Sequence, residues 1–248
     1  MKFNLYSTPW SGLGSSDRPL KAKEYSAYCE RELKSHFKTK KSLLNWYLKM
    51  DAAKLPALDF LAKQIEKKGY TNILSLGAGS CVLEHLLKKR LPHLTIVATD
   101  YNLFYLKNGK RLFPELKFRK FDFFKDGVSD LKKTGVKFDV AVFFGSSYVM
   151  DDELFVKQFM GLGEIGIKEI VDFQAGYIQT GKIPYFFLLE AGRALLEKFG
   201  IPLNRGKFHG YCRSRGELRR LYERAGLELI DETTAGLYKY VAICKVKT

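Results

Sequence analysis

Short segments rich in β-forming residues alternate with helix-length stretches through the middle of this 248-residue sequence. This alternation limits the fold more than any other feature. A strand, a helix and a second strand in succession place the strands parallel, with helices covering the sheet. Five such strands are predicted, at residues 72–79, 94–100, 116–124, 137–145 and 167–175. The sequence therefore predicts an α/β fold built on a mostly parallel sheet.

The two flanks of this region have different patterns. Apolar residues recur at three-to-four spacing through residues 21–70, and residues 1–70 are therefore predicted to form an N-terminal helical appendage that acts as a lid. On the other flank, residues 216–234 predict a helix followed by a strand, and residues 236–246 predict another strand. Strands joined directly by a short loop pair antiparallel. We expect a main domain over residues 71–248, with a long insertion around residues 176–215.

The composition excludes several classes of protein. With 46% hydrophobic and 28% charged residues, the chain is globular rather than disordered. Its four cysteines include no CxxC pair, so neither a disulfide framework nor a zinc site is predicted, and a reducing compartment is expected. The sequence shows no leader-like or membrane-length apolar run. We therefore expect a soluble, cytoplasmic protein without a membrane partner.

Positive charge is abundant in the sequence. Lys and Arg number 42 against 27 Asp and Glu, which gives a net charge of +15. A polyanion such as RNA favours clustered positive charge. The excess is +7 over residues 1–70, +6 over 71–150 and +2 over 151–248, so it is spread along the chain. This distribution favours solvated faces over a nucleic-acid surface.

A glycine turn joins the first predicted strand to the following helix, with the sequence GAGS at residues 77–80. Glycines at such a turn let a ligand approach the backbone, and the helix N-terminus presents free amide hydrogens. The next strand ends at Asp100, which is placed to accept hydrogen bonds from the two hydroxyls of a ribose. The third strand ends with Asp122 and Phe123, an acceptor beside a flat ring, which suits an adenine. Together these residues predict a nucleoside site.

The same turn argues against two kinds of phosphate site. A dinucleotide fingerprint requires a third glycine at the sixth position of the motif, where this chain has Val82. A P-loop requires a glycine followed by Lys and Ser or Thr, and the residues after Gly77 do not match that pattern. The expected ligand is a nucleoside without phosphates.

With these motifs the sequence resembles the class I S-adenosylmethionine-dependent methyltransferases. The resemblance covers LSLGAGS (74–80), VATDYN (97–102), FDFF (121–124), KFDVAVFFGSS (137–147) and the segment from residue 209 to 246. It implies a Rossmann-like, doubly wound seven-stranded sheet with an antiparallel last strand, S-adenosylmethionine as the cofactor, and methyltransferase activity. Two positions depart from the family pattern. Ser75 replaces an acid at the end of the first strand, and Cys81 replaces a frequent third glycine. Glu84 or Ser146 is expected to substitute for the missing acid.

The resemblance also implies which residues hold the cofactor. They lie at the ends of four strands and in the turns that follow: Ser75, Gly77, Ala78, Gly79, Ser80, Asp100, Tyr101, Asp122, Phe123, Phe144, Gly145 and Ser146. No metal ligand is expected among them. The acids at residues 151–153 begin a predicted helix, where negative charge favours the helix dipole. A metal-independent reaction is therefore expected.

Methyl transfer from a sulfonium is an in-line displacement that depends on alignment and on the exclusion of water. The tetrad GSSY at residues 145–148 stands where enzymes that methylate nucleic-acid amino groups carry an NPPY-like motif, so this chemistry is disfavoured. We expect O- or N-methylation of a small molecule. His209 is the candidate general base, because an imidazole titrates near neutral pH, and Tyr211 is the second candidate catalytic residue. The alternative for His209 is a structural hydrogen-bonding role.

Two segments outside the sheet are expected to close over the acceptor, residues 21–55 and 176–213. The aromatic triplet at residues 185–187 predicts either the floor of the acceptor pocket or part of a helix core. Two other functions stay open. One is an RNA methyltransferase that uses the basic N-terminal two-thirds of the chain, and the other is a non-catalytic relative that binds S-adenosylmethionine. The substitution at Ser75 is compatible with the second.

Overall fold

The structure, a computed structural model, describes residues 2–7, 22–200 and 207–247. Its main element is a seven-stranded sheet in the order β4-β3-β2-β5-β6-β10-β9. The strands are β2 (Asn72–Leu76), β3 (Thr95–Asp100), β4 (Lys117–Lys120), β5 (Val140–Phe144), β6 (Glu169–Phe173), β9 (Leu227–Ala235) and β10 (Tyr238–Val246). β10 runs antiparallel to both of its neighbours, and β2 to β6 are parallel. The predicted doubly wound sheet with an antiparallel last strand is confirmed.

Eight helices accompany the sheet in the part of the chain that the structure describes. They are α1 (Ala22–Leu33), α2 (Lys40–Asp51), α3 (Leu55–Lys68), α4 (Val82–Arg90), α5 (Leu103–Leu112), α6 (Asp152–Glu164), α7 (Ile183–Lys198) and α8 (Arg215–Arg224). A short 3-10 turn, Ala52–Lys54, connects α2 to α3. Within the described ranges, none of these helices combines the length and apolarity that a membrane crossing requires.

The core occupies both faces of the sheet, because successive residues of a strand point to opposite sides. On one face, Leu43 of α2 and Leu61 of α3 share a buried cluster with Ile73 of β2. On the other face, Leu74 of β2 packs with α6 and α8 residues such as Phe159. The N-terminal helices are thus a layer of the main core, and this fixes their position above one edge of the sheet.

A second, three-stranded sheet has the order β1-β8-β7, with β1 (Lys2–Ser7), β7 (Tyr177–Ile178) and β8 (Lys207–Ser214). β1 pairs antiparallel with β8, and Phe3 contacts the ring of Phe186 on α7 at 5.8 Å between centroids. The sequence predicts helices in residues 21–70 and a largely irregular insertion around 176–215, so these strands are additional to the prediction. The hydrogen bonds between β1 and β8 join segments about 200 residues apart, and local periodicity carries no information on such pairing.

Candidate functional site

A cavity of about 310 Å³ opens at the carboxyl ends of the parallel strands. Its floor comes from the β2–α4 turn and from the ends of β3 and β5, while α1, α2 and the 52–54 turn form its roof. The lining residues are Tyr25, Trp46, Tyr47, Asp51, Lys54, Gly77, Ala78, Gly79, Ser80, Leu83, Glu84, Asp100, Tyr101, Tyr105, Phe123, Phe124, Phe144, Gly145, Ser146, Tyr148, Val149 and Tyr238. Every residue predicted to hold the cofactor lines it except Ser75 and Asp122.

The two glycines of the turn serve different purposes. Gly77 has φ +70°, and a Cβ there would lie 2.5 Å from the Cβ of Ser146, so the close approach of the β5 loop requires a glycine. Gly79 has φ +54°, and a Cβ there would meet no protein atom within 4 Å. Both positive φ values favour glycine. The open space beside Gly79 belongs to the cavity, which leaves its backbone accessible to a ligand.

Asp100 fixes the geometry of this turn. Its Oδ2 accepts a hydrogen bond from the Gly79 amide at 2.8 Å, and its Oδ1 accepts one from the Asn102 amide at 2.8 Å. Burial raises the pKa of the Asp100 carboxyl to about 6, while the amide bonds oppose that rise. The group is therefore ionised at neutral pH. Each carboxylate oxygen can accept more than one hydrogen bond, so Asp100 can still accept from a ligand hydroxyl.

Flat aromatic surfaces flank the floor. Tyr101 follows Asp100 and stacks on Tyr25 of α1 at 5.8 Å between centroids, which joins floor and roof. Phe123 lies shortly after the end of β4, and its ring stacks on the ring of Phe143 at 6.0 Å between centroids. The neighbouring Asp122 is buried, and its Oδ1 accepts the Phe124 amide hydrogen at 3.0 Å. Asp122 thus shapes the loop that presents Phe123.

The acid that is missing at Ser75 has a counterpart in Glu84, which lies in the first turn of α4. Ser75 is buried behind the cavity and donates its hydroxyl to Oε1 of Glu84 at 2.6 Å. Glu84 itself lines the cavity. Burial raises the pKa of Glu84 to about 7, the hydrogen bond from Ser75 lowers it, and Lys54 lowers it further. Ser146, the other expected substitute, donates its hydroxyl to the carbonyl of Leu76. The acid at this site is therefore carried by the helix.

The roof contributes residues that the sequence analysis missed as site residues, above all Trp46, Asp51 and Lys54, and β10 contributes Tyr238. Helix α1 is held over the floor because Ser26 donates to Oδ1 of Asn102 at 2.8 Å, and that same oxygen caps α5. Spacing shows which residues share a helix face, but it does not show which strand ends lie below that face. The expectation that residues 21–55 close over the site is the one prediction that pointed to this roof.

The two candidate catalytic residues lie on β8. Tyr211 has its ring beside Lys2 and Arg213, at 4.9 Å and 5.1 Å from the charged groups, and it is not among the cavity residues. The backbone of His209 is part of β8, while its side chain lies outside the described structure. β8 nevertheless packs directly behind the site, because a Cβ at Gly210 would come within 2.4 Å of the Tyr148 ring.

Asp172 and the aromatic triplet at residues 185–187 lie away from the cavity. Asp172 is fully buried and accepts hydrogen bonds from Ser147, Gln174 and Tyr222 at 2.6–2.7 Å. Burial raises the pKa of Asp172 to about 6. The aromatic triplet lies on α7, where Tyr185 and Phe187 are largely exposed. No described residue of 176–200 or 207–213 lines the cavity.

Comparison with known structures reveals broad similarity of fold. Human N-acetylserotonin methyltransferase in complex with S-adenosylmethionine aligns with a TM-score of 0.59 and 13% identity, covering 94% of this chain and 64% of that protein. An O-methyltransferase family protein from Burkholderia thailandensis aligns with a TM-score of 0.61 and 13% identity, covering 94% and 65%. This chain therefore spans less than two thirds of either. Magnesium protoporphyrin IX methyltransferase from Synechocystis PCC 6803, with bound S-adenosylhomocysteine, aligns with a TM-score of 0.55 and 12% identity over 79% and 84%.

No protein-family model matches the sequence, and no curated protein matches it either. At the identities of the solved structures, what is shared is the arrangement of helices and strands. Residue roles in this chain therefore rest on its own geometry.

Proposed function

We propose that this chain, which has the fold of the class I S-adenosylmethionine-dependent methyltransferases, binds S-adenosylmethionine and transfers its methyl group to a small-molecule acceptor. The observation that carries the proposal is the cavity itself. It brings the glycine turn, the Asp100 carboxylate and the aromatic ring of Phe123 to one strand edge, under a roof of helices. Ligands of open α/β sheets bind at such edges.

The residues present fit the nucleoside half of this cofactor. The space beside Gly79 admits the ligand to the backbone. Asp100 is ionised at neutral pH and can accept from two ribose hydroxyls. Tyr101 and Phe123 offer flat apolar surfaces for the adenine. A cavity of about 310 Å³ lies in the range of small-ligand sites.

When bound, S-adenosylmethionine supplies a methyl group on a positively charged sulfur. The protein contributes the alignment of the two reactants and the exclusion of water from the cavity. Trp46 and Tyr47 of α2 and Tyr25 of α1 cover the floor and exclude water, which strengthens alignment for an in-line transfer. The described cavity lining includes no histidine. We therefore assign most of the catalysis to proximity and desolvation, and keep His209 and Tyr211 on β8 as candidates for receiving the acceptor's proton.

The direct test is calorimetry with S-adenosylmethionine and S-adenosylhomocysteine, followed by transfer of a labelled methyl group to panels of hydroxylated and amino small molecules. We expect S-adenosylmethionine and S-adenosylhomocysteine both to bind, and a small-molecule acceptor to become labelled. A chain that binds both but labels no acceptor would support the non-catalytic alternative, and a chain that binds neither would contradict the proposal.

RNA is expected to be a poor ligand and no substrate. Several lysines are paired with acids in the described structure, as in Lys34 with Glu30, Lys54 with Asp51, and Lys133 with Asp130. Dispersed and partly neutralised charge gives only non-specific attraction, which falls steeply with salt. Filter binding of a tRNA and a duplex RNA at physiological salt checks this. Binding tighter than about 1 µM together with methyl incorporation would favour the RNA methyltransferase instead.

Ligand binding is expected to protect the roof from hydrogen exchange. S-adenosylhomocysteine should slow exchange in α1, α2 and the 52–54 turn as well as in the glycine turn, because all of them line one cavity. Protection in residues 176–213 is expected only when the acceptor is added as well, since the described part of that segment does not line the cavity. Protection confined to residues 72–145 would contradict a closing roof.

A further inference from the structure

We propose that α7 docks on an anionic lipid surface, with its outward apolar side in the boundary between the headgroups and the acyl chains. The sequence has no membrane-length apolar run, which led to the expectation of a chain without a membrane partner. A helix that lies flat on a lipid surface needs no such run. The proposal is independent of methyl transfer, because the described part of α7 does not line the cavity.

Helix α7 has its apolar side toward solvent. A surface helix normally turns its apolar stripe to the core and its charged residues outward. In α7, Phe186 packs on Phe3 of β1, and the paired residues Glu190 and Arg193 follow Phe186 at helical spacing on the same half-buried side. Among the exposed residues that the structure describes in α7, Lys198 is the only charged one, and the others are Pro184, Tyr185, Phe187, Leu188, Ala191, Gly192, Leu195 and Leu196. The packing of this helix on the protein thus leaves most of its apolar side chains exposed.

The exposed apolar patch of α7 and the residue that follows it is large. Tyr185, Phe187 and Phe199 are 62%, 60% and 72% exposed. Three rings of that exposure present roughly 400 Å². Three exposed leucines of the same helix extend the patch beyond the roughly 300–600 Å² that is the largest patch of a typical monomer. Patches of this size mark interaction sites for proteins or for membranes.

The shape of the patch favours a flat partner. At about 100° per residue, the positions from Ala191 around to Leu196 span about 140° of the helix surface with no charged residue among them. Two helices that pair with each other need only a narrower seam. The outer side of a helix is also convex, whereas the sites of small molecules are concave. A lipid surface covers the whole arc at once.

The charge around the patch indicates which lipid surface it fits. Residues 176–215 carry seven Lys and Arg against two Asp and Glu. Lys182 and Lys198 are exposed at the two ends of α7. From such positions a lysine reaches anionic headgroups while its stem stays on apolar surface. A second copy of this chain would bring the same positive excess and the same net charge of +15, so the charge that attracts anionic lipid opposes self-association.

The test is flotation of the full chain with vesicles of two compositions. One is phosphatidylcholine alone, and the other is an equal mixture of phosphatidylcholine and phosphatidylglycerol. We expect the chain to bind the anionic vesicles at least about tenfold more tightly than the neutral ones. Raising the salt concentration should reduce this preference, because salt screens the attraction between lysines and headgroups.

Leu188→Gln combined with Leu195→Gln removes two exposed apolar side chains and keeps good helix formers. The affinity for anionic vesicles should fall about tenfold or more, because these two side chains no longer enter the lipid. Met160→Gln combined with Ile230→Gln is the matched control, since these side chains are 47% and 49% exposed on α6 and β9. The control should keep its affinity within about twofold.

Lys182→Gln and Lys198→Gln separate the role of charge from that of apolar contact. Each should weaken binding to the anionic vesicles by about fivefold and leave binding to phosphatidylcholine unchanged. Thermal melting and calorimetry with S-adenosylhomocysteine should give the same values for every variant as for the unmodified chain, because none of the substituted residues lines the cavity.

The outcomes decide between the lipid surface and its alternatives. Absence of binding to the anionic vesicles, or an equal loss of affinity in the α7 variant and the control, would overturn the proposal. It would also be overturned by light scattering that shows a dimer which the double substitution in α7 converts to a monomer, since the patch would then belong to an interface between two copies. Failure to bind S-adenosylhomocysteine would contradict the proposed function and leave vesicle binding as expected.

Discussion

Asp100→Ala is expected to weaken the binding of S-adenosylhomocysteine by about 100-fold to 20,000-fold. In the unmodified chain the Asp100 carboxylate is expected to accept hydrogen bonds from both ribose hydroxyls, and an alanine side chain accepts none. Each charge-assisted hydrogen bond contributes about 1.5–3 kcal/mol to affinity. Two of them correspond to the stated range, since each tenfold change is about 1.4 kcal/mol. The substitution also removes the acceptor of the Gly79 amide, which loosens the turn. Calorimetric titration of the variant measures the loss.

Asp139→Ala is the matched control for this experiment. Asp139 also accepts two backbone amide hydrogens, those of Thr71 and Asn72 at 2.8 Å each, but it does so at the other end of β2. Its removal should lower the melting temperature and leave affinity unchanged. If Asp100→Ala binds as tightly as the unmodified chain, or if both variants lose affinity to the same extent, the ribose site is misplaced.

Gly79→Val is expected to reduce the same binding by more than about 100-fold, or roughly 2.7 kcal/mol. The added side chain would occupy the space beside the turn, which holds no protein atom within 4 Å of the new Cβ. A β-branched residue at φ +54° is also strained, by about 1–3 kcal/mol. Calorimetry gives the affinity, and thermal melting gives the cost to stability.

Gly135→Val is the control that separates the effect of backbone strain from the effect of filling the cavity. Gly135 has φ +69°, open space around its Cβ and no part in the cavity. This control should lose a similar amount of stability and keep full affinity. A Gly79→Val variant that melts like the control and still binds normally would contradict the nucleoside site at this turn.

The sheet could be predicted because its strands follow from sequence patterns within short segments of the chain. Each of β2, β3, β5 and β6 is a short apolar segment between helical stretches, and parallel order follows from that alternation. The position of Asp100 at the end of β3 follows as well. The pairing of β1 with β8, in contrast, depends on hydrogen bonds between distant segments, and residues 2–7 have no pattern that indicates it.

The floor of the site could likewise be predicted and most of its roof could not. Residues at strand ends meet at one edge by the geometry of parallel strands, which brings Gly79, Asp100 and Phe123 together. Trp46 and Lys54 reach the cavity only through the packing of α2 on the sheet, and helix spacing does not determine that orientation. Glu84 and Ser146 were both predicted as substitutes for the acid that is missing at Ser75, and the 2.6 Å hydrogen bond from Ser75 to Glu84 distinguishes between them.

The turn between β9 and β10 contacts the roof. Gly236 passes so close to the 52–54 turn that a Cβ there would lie 2.4 Å from the carbonyl oxygen of Ala53, and the Leu237 amide donates to that oxygen at 2.8 Å. The contact closes a loop that contains most of the chain, and such closures form late in folding because of their entropy. Partial unfolding that releases β10 would remove Tyr238 from the cavity wall and this contact from the roof, so a ligand that binds only the closed cavity would oppose that opening.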